Sequence, residues 1–187
     1  MTAPHELKTA RLLLRPLEQT DIPAIVRLAG AREIASMTAN IPHPYTEQDA
    51  RDFLSRASEE FRAGRSVSFA ICVSPARELC GGMGLNITPA HRHAELGYWI
   101  GVPFWKNGYA TEAGRAVAAF GFETLALHRI YAFHFAGNAA SGRVLEKIGM
   151  RREGRSREHI KKWDRFIDLE NYGLLKSEFL RAELKKR

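Results

Sequence analysis

Apolar residues recur along the chain in two rhythms. From Ser66 they alternate: Val67, Phe69, Ile71 and Val73 form one run, which Pro75 breaks, and runs at 79–87 and 95–102 follow. Alternation of this kind predicts strands. Gly81, Gly82 and Gly84 in the second run permit a bulge or a close backbone approach. Further strands are predicted at 10–17, stopped by Pro16, at 129–135, and roughly at 150–159 and 165–175. Elsewhere the apolar positions return every three or four residues, the helical spacing. Asp21 is placed to cap a helix carrying Ile22, Ile25, Val26 and Leu28. After a loop through Pro42 and Pro44, Thr46 and Asp49 have capping-box spacing ahead of a helix with Ala50, Phe53, Leu54, Ala57 and Phe61. Residues 109–125 form a helix whose stripe (Ala110, Ala113, Gly114, Val117) is mostly small and lets it sit close on a sheet. A helix from Asn138 to Ile148 closes at Gly149, and a last helix runs to the end.

Strand–helix–strand segments imply right-handed parallel crossovers, and the three consecutive strands at 66–102 imply an antiparallel meander. The fold class is therefore α/β, a mixed sheet with helices on both faces, in one domain over residues 1–187.

Composition narrows the class. At 187 residues and 45% hydrophobic, the chain is long enough for a sizeable core. No apolar run approaches the ~20 residues that span a bilayer, and the N-terminus lacks the apolar stretch of a signal peptide. The two cysteines, Cys72 and Cys80, exclude a disulfide scaffold and a four-cysteine zinc site. A cytoplasmic protein is expected. The net charge of +7 favours anionic partners; much of it sits at 151–165, in Arg151, Arg152, Arg155, Arg157, Lys161, Lys162 and Arg165. His91 and His93 lack the further ligands of a metal site, so no metal is expected. Trp99, Trp105 and Trp163 are too scattered for a base-stacking platform.

Two helix starts carry the chemistry. In the segment from Glu95 to Glu112, Pro103 stops a strand and a helix opens at Gly108-Tyr-Ala110. Its first N–H groups have no intrahelical partner and lie at the positive end of the helix dipole, a ready seat for a phosphate. Lys106 adds a charge beside it. The spacing matches neither a Walker A loop nor a dinucleotide fingerprint. In the second, Asn138-Ala-Ala-Ser-Gly-Arg-Val-Leu-Glu-Lys-Ile-Gly-Met150, Asn138 is the N-cap and Ser141 faces inward, where a sheet-facing helix normally places an apolar residue.

Together, Trp105-Lys-Asn-Gly-Tyr-Ala-Thr-Glu112 and Asn138 to Gly149 resemble the GCN5-related N-acetyltransferase (GNAT) superfamily, within it the RimJ/RimL-like branch that acetylates ribosomal-protein N-termini. Thr9-Ala-Arg-Leu-Leu-Leu-Arg-Pro-Leu17, Pro42-His-Pro-Tyr-Thr46 and Leu96-Gly-Tyr-Trp-Ile100 fit as well. The resemblance implies a mostly antiparallel twisted sheet with a splayed central parallel pair. It implies acetyl-CoA as co-substrate, its pyrophosphate on backbone amides of the stretch Lys106, Asn107, Gly108, Tyr109, Ala110 and Thr111. Its pantetheine would pair with a bulged strand edge at Trp99, Ile100, Gly101 and Val102, with Asn138 holding the arm and Ser141 near the thiol. Many relatives carry a Tyr proton donor at the position of Leu145; here Ser141 stands in, as a hydrogen-bond donor to the leaving thiolate.

The reaction needs an N–H for the oxyanion, with Ile100 and Gly101 as alternatives, and a route for the amine proton, for which Glu95 is the best-placed carboxylate. The expected acceptor is the α-amino group of a protein N-terminus, a ribosomal protein among the possibilities. The alternatives are a small amine, or a non-catalytic ribosome- or RNA-binding module on the same fold.

Overall fold

The computed structural model describes residues 6–184; residues 1–5 and 185–187, read from the sequence as a polar N-terminus and the end of the last helix, lie outside that range. Eight strands form one sheet: β1 (Leu7–Lys8), β2 (Leu12–Pro16), β3 (Ser66–Val73), β4 (Glu78–Thr88), β5 (His93–Ile100), β6 (Arg129–Phe135), β7 (Arg151–Lys162) and β8 (Arg165–Leu175). Their spatial order is β1-β2-β3-β4-β5-β6-β8-β7. Six helices accompany them: α1 (Ile22–Ala29), α2 (Arg32–Met37), α3 (Glu47–Arg62), α4 (Tyr109–Glu123), α5 (Ala139–Ile148) and α6 (Lys176–Leu184).

Among the described residues only β5 and β6 pair in parallel. The expectation of several parallel crossovers is thus corrected to one, β5–α4–β6. The three helices after β2 return the chain to the end it left, so β3 lies antiparallel to β2. The β7–β8 hairpin seats its second strand against β6, so α5 joins strands that are not neighbours.

Strand alternation separates two apolar layers. Leu12, Leu14, Val67, Phe69, Ile71, Leu96 and Ile130 face α4 and α5 in the larger one. Leu13, Ala70 and Cys72 meet Ile22, Ile25, Ala50 and Leu54 of α1 and α3 in the other. Helices therefore cover both faces, as predicted. The capping box forms: the Thr46 hydroxyl accepts from Asp49 N–H while the Asp49 carboxylate accepts from Thr46 N–H. Asp21 does not cap forward. Its carboxylate accepts from Glu18 N–H and from both terminal nitrogens of Arg15 at 2.8 and 2.7 Å, tying β2 to α1. α2 lies ahead of the Pro42–Pro44 loop, where the sequence predicts no helix; at six residues it is too short for a period to register, though Ile34 and Ala35 are buried.

The seat of α5 determines where Ser141 stands. A Cβ on Gly142 would lie 2.8 Å from His134 Nε2 and 3.1 Å from the Tyr172 hydroxyl, so the helix rests directly on β6 and β8. His134 Nδ1–H donates to Phe135 O at 2.8 Å. Gly142→Ala is expected to destabilise the fold by about 1–3 kcal/mol through overpacking, measured by urea unfolding. A variant as stable as the parent would show that α5 has room to lift.

Candidate active site

The parallel pair is short. Register runs from His93↔Arg129 to Glu95↔Tyr131 and stops, although β5 continues to Ile100 and β6 to Phe135. Each strand keeps its other neighbour throughout, β5 with β4 and β6 with β8. A wedge-shaped gap opens between them. Antiparallel ladders alternate the direction of backbone groups. Gly101 N–H donates to Cys80 O at 2.8 Å, so by register Trp99 and Gly101 bond toward β4, while Tyr98 and Ile100 face the gap. The same alternation, set by Ala136 N–H on Asp168 O, turns Phe133 toward it from β6.

This geometry sorts the predicted edge residues. Ile100 offers its N–H to the gap, and its carbonyl accepts from the Trp105 indole at 2.6 Å. Gly101 N–H is spent on Cys80, leaving Ile100 of the two oxyanion alternatives. The Trp99 side chain packs among α1 and α3 on the opposite face, its backbone bonded toward β4. β5 ends two residues earlier than predicted, and Val102 begins a short 3-10 turn held by Phe104 and Trp105 N–H groups on Gly101 and Val102 carbonyls. The bulge is not in β5, whose register with β4 is unbroken; it lies one strand over, at Cys80 of β4, where the β3–β4 register shifts.

At the start of α4, Gly108 is the N-cap with φ +79°, a left-handed conformation that glycine adopts without strain. Lys106 is left-handed too, at φ +64°. The Asn107 side chain braces the turn by donating to the Phe104 and Trp105 carbonyls. The amides of Tyr109, Ala110 and Thr111 begin the helix without intrahelical partners. Arg11 comes to this end from the β1–β2 turn: its guanidinium lies 5.0 Å from the Tyr109 ring centre and pairs with Glu112 at 2.7 Å. Glu112 also accepts from the Thr9 hydroxyl at 2.6 Å and Arg11 N–H at 2.9 Å. Burial pushes the Glu112 carboxyl up, but these donors outweigh it and hold it below the ordinary range. An open groove of about 810 Å³ runs from Gly108 and Thr111 along α4 to Phe179 of α6.

Across the gap, Asn138 Oδ1 caps α5 by accepting from Ser141 N–H at 3.1 Å. The Ser141 hydroxyl lies 2.7 Å from the Tyr98 hydroxyl of β5. Burial pushes the Tyr98 phenol up to about 12, against the opposing pull of Ser141. Glu95 stands elsewhere. By alternation it lies on the face of α1 and α3, opposite Ser141 and flanking the gap. Burial raises its carboxyl above the ordinary value, and burial followed by the Glu95 charge raises neighbouring Tyr131. A Cβ on Gly97, next on that face, would meet nothing within 4 Å, so the sheet there is bare. His93 stacks edgewise on Tyr131, with His91 beside it; among the described residues no group of three His, Cys, Asp or Glu gathers as a metal site.

The structure thus brings together the α4 start, Ile100, Asn138 and Ser141 around one gap, with Glu95 on its far side. Sequence reasoning missed Tyr98 and the Thr9–Arg11–Glu112 tie. Both lay inside quoted motifs, but nothing in the chain marks contacts across 43 or about 100 residues.

The domain described as Acetyltransferase (GNAT) domain matches residues 11–151. The chain is 32% identical to p20, an uncharacterized N-acetyltransferase of Bacillus licheniformis, over 92% of this chain and 97% of that one. A crystal structure of a GNAT-family acetyltransferase from Bacillus anthracis superposes with a TM-score of 0.82 at 28% identity, covering 92% of this chain and 99% of the other. RimL, a ribosomal L7/L12 alpha-N-protein acetyltransferase solved with coenzyme A, shares the fold with a TM-score of 0.83 at 18% identity, over 91% and 98% of the two chains. The fold is shared with these acetyltransferases, and the chain belongs to the GNAT family of acetyl-CoA-dependent N-acetyltransferases.

Proposed function

We propose that the protein moves the acetyl group of acetyl-CoA onto the α-amino group of a protein N-terminus, through the gap between β5 and β6. The observation that carries this reading is the division of chemistry between the two faces of that gap. On the α4/α5 face stand free helix-start amides, suited to a pyrophosphate, and the Ser141 hydroxyl, suited to a departing thiolate. On the other face stands Glu95, a carboxyl made more basic by burial, above the bare surface at Gly97. Cofactor and amine would approach from opposite sides and meet where Ile100 N–H faces the gap, available to the tetrahedral oxyanion.

An α-amino acceptor asks little of the base, since its pKa of ~7.7–8.0 leaves much of it neutral near physiological pH. Glu95, acting through water, suits that modest demand. The acceptor face is walled by the tip of the β7–β8 hairpin: Lys162 Nζ donates to Ile41 O at 2.7 Å, and half-exposed Trp163 lies between Arg32 and Lys162. Exposed apolar surface on Trp163 and Phe166 suits a chain end better than a small polyamine, and the alpha-N-protein activity named for RimL agrees. Ion pairing within the basic stretch weighs against a nucleic-acid module: Arg151 pairs with Glu178, Arg152 with Glu170 and Arg155 with Asp168 and Glu170. An acetyl-CoA turnover screen over N-terminal peptides, free amines and whole ribosomes tests the reading directly. Turnover confined to free amines would replace it.

Four variants test its parts. Gly108→Glu sets a carboxylate at the phosphate seat and is expected to abolish CoA binding by calorimetry. Gly108→Ala, which carries only the strain of a positive φ, should retain most of it; equal losses would trace the effect to backbone strain. Ser141→Ala should lower kcat while acetyl-CoA affinity stays within a few-fold, and unchanged kcat with chemistry rate-limiting would return Ser141 to a packing role. Glu95→Gln should lower turnover at pH 7 by about 10–100-fold, toward the low end of general-base effects. For an α-amino acceptor that defect shrinks above pH ~8, whereas for a lysine it persists toward ~10. The parent should lose rate as pH falls through the Glu95 pKa, at a higher pH than an ordinary carboxylate would set. A Glu95→Gln enzyme as active as the parent at pH 6.5 would remove Glu95 from the mechanism.

A further inference from the structure

Tyr98 has no part in the reading above, yet it makes a direct bond to the residue assigned to the leaving group. It projects from β5 on the α4/α5 face, beyond the point where β5 and β6 part, and reaches Ser141 in the first turn of α5. We propose that the Tyr98 hydroxyl donates to Ser141 Oγ and so turns the Ser141 proton toward the sulfur of the departing CoA thiolate. Tyr98 is then a positioning residue that acts through Ser141, and the assignment rests on the acetyl-transfer reading.

The donor direction follows from the chemistry of the pair. Two hydroxyls that share one hydrogen bond have one proton in the bond and one left over. A phenol, with pKa ~10, is a far stronger acid than an aliphatic hydroxyl and is the better donor. Ser141 is held for the role of acceptor: Asn138 fixes its backbone through both the main-chain carbonyl and Oδ1. A serine oxygen that accepts a bond is polarised and donates more strongly in turn. The helix start beneath it adds a positive dipole end that favours a thiolate.

The same pair limits how far the proton moves. A CoA thiol is an ordinary thiol of pKa ~8.5, whereas burial pushes Tyr98 up to about 12. Passing the Tyr98 proton through Ser141 to sulfur would leave a buried tyrosinate and run uphill. As the tetrahedral intermediate collapses, the C–S bond breaks and its electron pair stays on sulfur. The thiolate is held by the Ser141 hydrogen bond and takes its proton from solvent after release. The proton lost by the amine leaves on the other face, by way of Glu95. The two hydroxyls therefore lower the basicity of the leaving group without being consumed.

This makes a spectroscopic prediction that needs no acceptor. CoA bound to the parent, titrated by the ultraviolet absorbance of its thiolate with desulfo-CoA as blank, should ionise about one unit below the ordinary ~8.5. Tyr98→Phe should return the value most of the way, Ser141→Ala as far, and the double variant no further. In turnover, Tyr98→Phe should lose about 10–100-fold in kcat, the worth of the Ser141 hydrogen bond to the charged thiolate that Tyr98 orients, with KM within a few-fold. A thiol that ionises at the same pH in Tyr98→Phe and parent would overturn the proposal, as would a double variant that adds the full Tyr98→Phe effect to Ser141→Ala. Either result leaves acetyl transfer standing. A parent that does not bind CoA would overturn both.

Discussion

The structure depends on one interruption: β5 and β6 pair for three residues and then part. In a continuous sheet each inner strand satisfies its backbone groups on both sides. Here β5 is paired along its whole length to β4, and β6 along its whole length to β8. Each is secured by its outer neighbour, so neither must follow the other. Backbone groups of Tyr98, Ile100 and Phe133 turn toward the gap and form a strand edge inside the molecule. A ligand that lies along this edge as an added strand can pair with it, so the interruption that weakens the sheet leaves room for binding.

Other features follow from the position of that gap. α4 leaves from the end of β5 and α5 from the end of β6, so both helix starts collect at the opening, where ligands gather in open α/β sheets. The Trp105 indole clamps the Ile100 carbonyl, and Glu112 gathers Thr9 and Arg11 around the first turn of α4. Gly142 seats α5 low enough for Ser141 to meet Tyr98 across the opening. Because neighbouring residues of β5 point to opposite faces, a single strand supplies Tyr98 to one side of the gap and Glu95 to the other. Burial raises both, to different effect. The phenol stays protonated and able to donate, while the carboxylate is made more basic.

Much of this was legible in the chain. Alternation located β3 and β6 to the residue, and the capping box and Gly149 marked two helix ends. The two helix-start motifs led to the family and to Gly108, Asn138 and Ser141. What stayed hidden has physical causes. Residues 101–102 keep an apolar pattern after the ladder ends, because periodicity records burial and not hydrogen bonding, so β5 was read as 95–102, two residues late at both ends. The glycines of β4 permitted a bulge in their own strand, and it fell beside them at Cys80, whereas the resemblance set one on the β5 edge. The position of β8 between β6 and β7 is a choice among sheet edges that no local pattern encodes. Tyr98 reads as one more aromatic in a strand until α5 is laid against it.

The central claim is that CoA lies in the gap between β5 and β6, with its phosphates on the start of α4. Amide hydrogen exchange with and without CoA tests it most directly. The account predicts slowed exchange at Tyr98, Ile100 and Phe133 together with Tyr109, Ala110 and Thr111, and little change at α6. Protection confined to the groove between α4 and α6, with the gap amides exchanging as before, would contradict it.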